Sequence, residues 1–132
     1  MANTDLNRVI QDRPVYVKQW AAKKALENLG KALSTFGGNF APFVDGDYRM
    51  GDIVLLLRSD PKVTVELLQE FVCCARIDGK EILPETFNHY YNGKLLFIFS
   101  IFSFVCEVQY KDFFEQGLSL SESDPDPIEN KT

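Results

Sequence analysis

The segment Leu95–Val108 reads LLFIFSIFSFVCEV, and only Ser100, Ser103 and Glu107 interrupt its apolar character. At roughly 25 cal/mol per Å² of apolar area, such a run has to be covered by a core, a bilayer or a partner. As a strand it is too long, because strands average about 5–6 residues, and Ser100 and Ser103 would point to opposite faces. As a helix it orders itself: Ser100, Ser103, Glu107 and Lys111 fall on one narrow polar stripe and the rest of the circumference is apolar. A membrane-spanning helix needs about 20 apolar residues. Here Glu107 interrupts the run and Lys94 and Lys111 flank it, so no membrane partner is expected. The run reads as the central helix of a folded body.

The rest of the chain supplies what packs around it. Residues 1–14 read as a loose polar lead. Lys18–Phe36 has helical rhythm, with Ala22, Ala25, Leu26, Leu29, Ala32, Leu33 and Phe36 on an expected buried face and Gly37-Gly38 as the stop. Residues 39–52 read as a loop that packs through Phe40, Phe43, Val44 and Tyr48, and a short helix is expected over Ile53–Arg58. Ser59-Asp60-Pro61 is a helix-start signal for Pro61 to about Arg76, with Val65, Leu68, Phe71, Val72 and Ala75 on one face. Asp78-Gly79 either ends that helix or turns a short hairpin near 76–82. Pro84–Tyr91 suits a short helix, and the central helix then runs over about 94–114. The expected fold is all-α: a small irregular bundle of about four to five helices around the apolar one. The expected organisation is a lead (1–14), a helical domain (15–117) and an acidic mobile tail (118–132).

Composition limits the function classes. The 132 residues are 45% hydrophobic and 25% charged, which suits one globular domain rather than a disordered chain. A net charge of −5 argues against general nucleic-acid binding, which needs clustered cations. Charge is unevenly placed. Lys18, Lys23, Lys24 and Lys31 oppose only Glu27 in the first helix, whereas Asp112, Glu115, Glu122, Asp124, Asp126 and Glu129 dominate the C-terminal part. The two regions are either separate solvated surfaces or mutually attracting ones. Cys73, Cys74 and Cys106 are odd in number and show no metal-binding spacing, and the first residues lack the apolar core of a signal peptide. A reducing cytoplasm is the expected setting.

Catalytic signatures are absent. His89 is the sole histidine and stands at no nucleophile spacing, so it reads as a packed or surface residue. Asp45-Gly46-Asp47 with Asp52 mimics a calcium loop, but Arg49, Met50 and Leu56 occupy positions where that loop needs an acid, a glycine and a glutamate. No phosphate-binding glycine motif is present. No enzyme, cofactor or metal is therefore expected. What remains is surplus aromatic and cationic surface, because adjacent residues of a helical doublet cannot both face one core. The candidate partner-binding residues are Trp20, Lys23, Lys24, Tyr90, Tyr91, Phe97, Phe102, Phe113 and Phe114.

Three segments carry a resemblance. Val15–Leu26 reads V-Y-V-K-Q-W-A-A-x-K-A-L, Asp78–Ile82 reads D-G-K-E-I, and Phe87–Lys94 reads F-x-x-Y-Y-x-G-K ahead of an apolar helix closing on Asp112-Phe113-Phe114. In this order they resemble the tail assembly chaperones of tailed bacteriophages, over about residues 15–116. The resemblance implies a non-enzymatic protein of the host cytoplasm that coats the tape-measure protein before the tail tube polymerises. It also implies self-association into a ring or filament, and the tail tube protein as a further partner of a frameshifted longer product. The competing reading is a structural virion component, a small tail or baseplate adaptor; a membrane-associated protein is a third.

Overall fold

The computed structural model describes residues 7–123, with side chains through Gly117. Helix α6 (Leu95–Ser123) is the axis of the molecule. Its residues Phe97–Phe99 and Ile101–Cys106 are buried, and Ile101, Phe102 and Val105 are inaccessible to solvent. Phe102 sits at the centre of an aromatic cluster, its ring 5.4 Å from those of Phe43 and Phe71 and 6.3 Å from that of Phe36.

Around α6 lie α1 (Ala22–Phe36), a 3-10 turn (Gly37–Phe40), α2 (Ala41–Asp45), α3 (Met50–Leu57), α4 (Pro61–Val72) and α5 (Pro84–Tyr91). Local chemistry sets their ends. Asp60 accepts from the backbone N–H groups of Lys62 and Val63 at 3.2 and 3.4 Å, and Pro61 occupies the first turn of α4. Asp52 reaches back to the Arg49 N–H at 2.8 Å, the reciprocal half of a capping box. Helix α2 ends on Gly46 in the left-handed conformation, whose N–H meets the Pro42 carbonyl at 3.0 Å.

The all-α expectation fails on one point. The fold is mostly helical, but it carries a four-stranded antiparallel sheet in the order β1 (Asn7–Ile10), β2 (Arg13–Val17), β3 (Ala75–Ile77), β4 (Lys80–Glu81). Its middle pair joins distant parts of the chain, with Val15 opposite Ile77 and Val17 opposite Ala75. Val15, Val17 and Ile77 are buried while Tyr16 and Arg76 face out, the two-residue alternation of a half-buried sheet. Residues 7–14, read from sequence as loose lead, are thus strand and turn. Both hairpins turn on two residues of positive φ: Gln11 and Asp12 at 50° and 65°, Asp78 and Gly79 at 54° and 78°. The Asp-Gly hairpin was the one signalled in the sequence.

Other boundaries also shift. The loop expected over 39–52 contains the end of the 3-10 turn, all of α2 and the start of α3. Helix α4 stops at Val72 rather than near Arg76, because Ala75–Ile77 is taken into the sheet. Helix α6 continues past Gly117 to Ser123, so the expected tail begins within a helix; its residues 124–132, like residues 1–6, lie outside the described residues.

The polar stripe of α6 is not a solvated face. Ser103 is buried and donates to the Phe43 carbonyl at 2.8 Å. Ser100 and the Tyr48 hydroxyl lie 3.1 Å apart, and Glu107 accepts a fork from Arg8. The stripe is where α2, the following turn and strand β1 dock.

Candidate partner-binding surface

Helix α1 buries Asn28, Leu29, Ala32 and Phe36. Leu26 and Leu33, expected on that face, instead point outward at 65% and 45% exposure. They share a stripe with Gly30 and Gly37 at positions i, i+4, i+7 and i+11. A Cβ on Gly30 would meet nothing within 4 Å among the described residues. The glycine is therefore not required by internal packing, and mid-helix glycine costs about 1 kcal/mol against alanine. Its effect is a shallow hole between two exposed leucines.

This stripe leads into an apolar groove of about 350 Å³ walled by Leu33, Gly37, Phe40, Ala41, Val44 and Phe114. The groove exists because α6 outlasts the core. Tyr110 is still buried and donates to the Ala25 carbonyl at 2.7 Å, whereas Phe114, one turn on, is half-buried against Phe40 at 6.4 Å between ring centres. Phe113 lies beside it, 5.3 Å from the Phe114 ring and 54% exposed.

The candidate residues fall into separate places. Phe97, Phe102 and Tyr91 belong to the core of the single chain. Tyr90, Tyr91 and Phe97 form one aromatic group under α5, with ring centres 4.8 Å apart for the tyrosines and 6.1 Å for Tyr91 and Phe97. Burial first, then Tyr90, raises the Tyr91 phenol well above its ordinary range. Trp20 is half-buried, edge-on to Phe71 at 5.1 Å, with Lys24 over its ring at 5.5 Å. The Trp20 backbone N–H donates to the Gln109 side-chain oxygen at 2.9 Å, and the Gln109 amide in turn donates to the Lys18 carbonyl at 2.9 Å, so this segment is stitched to α6. Lys23 is exposed. Of these candidates only Phe114 lines the groove, with Phe113 exposed next to it. Sequence reasoning missed Leu26 and Leu33 because both fit the helical rhythm of a buried face; the adjacent Gly30 was the available sign that this side is not packed internally.

A second cavity, also about 350 Å³, opens between α1 and α4 on Lys24, Glu66, Glu70, Cys73 and Cys74. Burial raises the Cys73 thiol and pushes Cys74 to about 12 despite nearby Lys24. Both are held as thiols, which are weak nucleophiles. His89 is exposed on α5 and lines a cleft with Phe87, Asn92 and Leu95 that contains no cysteine. Among the described residues no group of His, Cys, Asp and Glu side chains is placed to hold a metal ion, and no helix is long and apolar enough to cross a membrane.

A family model described as phage tail assembly chaperone protein, TAC, matches residues 11–121. Neither the curated proteins nor the solved structures gave a match.

Proposed function

The chain belongs to the phage tail assembly chaperone family, and on that premise we propose that it holds the tape-measure protein soluble through the α1–α6 groove during tail assembly. The observation that carries this reading is the continuous apolar path Leu26–Gly30–Leu33 into the groove ending at Phe114. An amphipathic helix lies in such a path with its own apolar stripe down, and the hole at Gly30 lets the two backbones approach. A tape-measure protein is long and helical with apolar faces, so it needs cover until the tube forms around it. The role is non-enzymatic and belongs to the host cytoplasm. It is accompanied by self-association and, in a longer product, by contact with the tail tube protein.

Co-expression with the neighbouring tape-measure gene tests the reading. The tape measure should stay in the supernatant and co-purify with the chain. Leu33→Asp should abolish both effects while the chain itself stays folded. A tape measure that precipitates with or without the chain would refute the proposal. A stoichiometric band of the chain in mature particles would instead make it a structural component of the virion.

A further inference from the structure

Helix α3 is apolar nearly all round, yet only Ile53 and Leu56 are buried. Met50, Val54 and Leu57, at helical spacing, form an outward stripe exposed by 63%, 43% and 41%. An exposed arginine stands at each end, Arg49 before the helix and Arg58 after it. Neither guanidinium has an ion-pair partner among the described residues. Asp52 and Asp60, the acids within and just after α3, are engaged as helix caps. Two of the three cations of α1 are engaged, Lys31 with Glu70 at 3.6 Å and Lys24 over Trp20.

An occupant for this stripe needs apolar groups between two acidic ends. The sequence after α6 has that order: Asp124-Pro-Asp126-Pro-Ile128-Glu129. Six residues of polyproline II chain span about 15 Å. Arg49 and Arg58 are separated by about 13 Å along the helix. A segment of that length matches the stripe of Met50, Val54 and Leu57 and carries an apolar residue and two prolines between its acids.

Reach decides which copy supplies the segment. Tyr48, next to Arg49, is held at Ser100 by the 3.1 Å hydroxyl contact. Ser100 lies roughly 35 Å down α6 from Ser123. Glu129, six residues past Ser123, extends at most about 20 Å beyond it. The segment cannot run the length of its own chain's stripe. The geometry points to residues 124–129 of a second copy, docked along α3 between Arg49 and Arg58. The contact joins two different surfaces, so it is heterologous and propagates into a ring or filament. It rests on the self-association proposed above and is independent of client capture.

Fluorescence anisotropy of a labelled peptide covering residues 121–132, titrated with the full chain, reads this contact directly. Binding should saturate and weaken as salt rises from about 50 mM to about 0.5 M. Arg49→Ser with Arg58→Ser should cost about tenfold in affinity, two exposed charge pairs being removed, with an unchanged circular dichroism spectrum. A peptide carrying Asp124→Asn, Asp126→Asn and Glu129→Gln should lose affinity to a similar extent. Absence of saturable binding, or equal affinity for the double variant, overturns the assignment. So does a double variant that keeps the peptide but fails to hold the tape measure, which would give the stripe to the client. Peptide binding by a chain that never solubilises the tape measure supports this contact and refutes only the client reading.

Discussion

Arg8 closes a fork on Glu107. Its terminal nitrogens donate to the two carboxylate oxygens at 3.2 and 2.9 Å across 99 positions of sequence, and its guanidinium lies 4.5 Å over the Phe104 ring. Glu107 is only 12% exposed in its side chain, so the pair is partly shielded from solvent screening. Strand β1 is thereby clamped to the helix that organises the core. Arg8→Ala strips this carboxylate of its fork and should destabilise the chain by about 1–3 kcal/mol. Hydrogen exchange at residues 7–17 should accelerate more than exchange at α6, and the loss should shrink in high salt.

Gly46→Ala strikes the same clamp from the opposite side. Gly46 has φ of 79°, and a Cβ there would collide with the Glu107 carboxylate. The substitution combines left-handed strain with displacement of the carboxylate from Arg8, for a cost of about 1–3 kcal/mol. Urea unfolding of wild type and variant checks it. Arg8→Ala and Gly46→Ala together should cost less than the sum of their separate effects, because both disturb one contact.

Phe102 and Phe113 were grouped as partner-binding candidates, and their surroundings now predict opposite behaviour. Phe102→Ala removes a fully buried ring and should cost about 3–5 kcal/mol. Phe113→Ser alters an exposed ring and should leave stability within about 0.5 kcal/mol, while weakening capture of the tape measure. Thermal melts alongside pull-downs separate the two.

Gly30→Gln should raise stability and lower function together. Glutamine is the better helix former by about 0.5–1 kcal/mol, and a Cβ at this position meets nothing within 4 Å among the described residues. The same side chain fills the hole between Leu26 and Leu33. A higher melting temperature with reduced tape-measure capture is the expected result; unchanged capture would show that the client does not lie across Gly30.

Alkaline pH should unfold the chain sooner than acid content alone suggests. Burial raises Cys74 from 9.0 to about 12, raises Cys106 well above 9.0, and raises the Tyr91 and Tyr110 phenols above 10.0. The folded state holds these protons after the unfolded chain has released them, so this contribution is intact below pH 9 and is lost as pH climbs toward 12. Denaturant midpoints measured from pH 8 to about 11 should fall steadily. At pH 8 iodoacetamide should label Cys106 only on unfolding.

The sequence made the helices legible because their signals are local. Asp60-Pro61 starts α4, Asp78-Gly79 turns a hairpin, and the serine spacing of Leu95–Val108 makes a helix of an apolar run. What escaped was long-range. Arg13–Val17 alternates in and out correctly for a strand, but its partner Ala75–Ile77 lies some sixty residues away, so Arg13 and Pro14 read as the end of the lead and the segment shows no sign of a sheet to join. The groove was hidden for a related reason. Leu26 and Leu33 obey the rhythm of a buried face, and only the finite width of the core at Asn28, Leu29 and Ala32 leaves them outside. The doublet at 113–114 was readable as surplus surface; Phe97, Phe102 and Tyr91 were not separable from it, because composition does not say which aromatic the core takes first.

The strand pairing of Val15 with Ile77 and the clamp of Arg8 on Glu107 also impose an order on synthesis. The β1–β2 hairpin has no third strand to pair with until β3 exists, and Arg8 has no carboxylate to grip until the first turns of α6, through Glu107, have followed. The groove needs Phe114, later still. A nascent chain therefore carries no finished groove, and its apolar wall closes only when the turn of α6 that bears Phe114 is made.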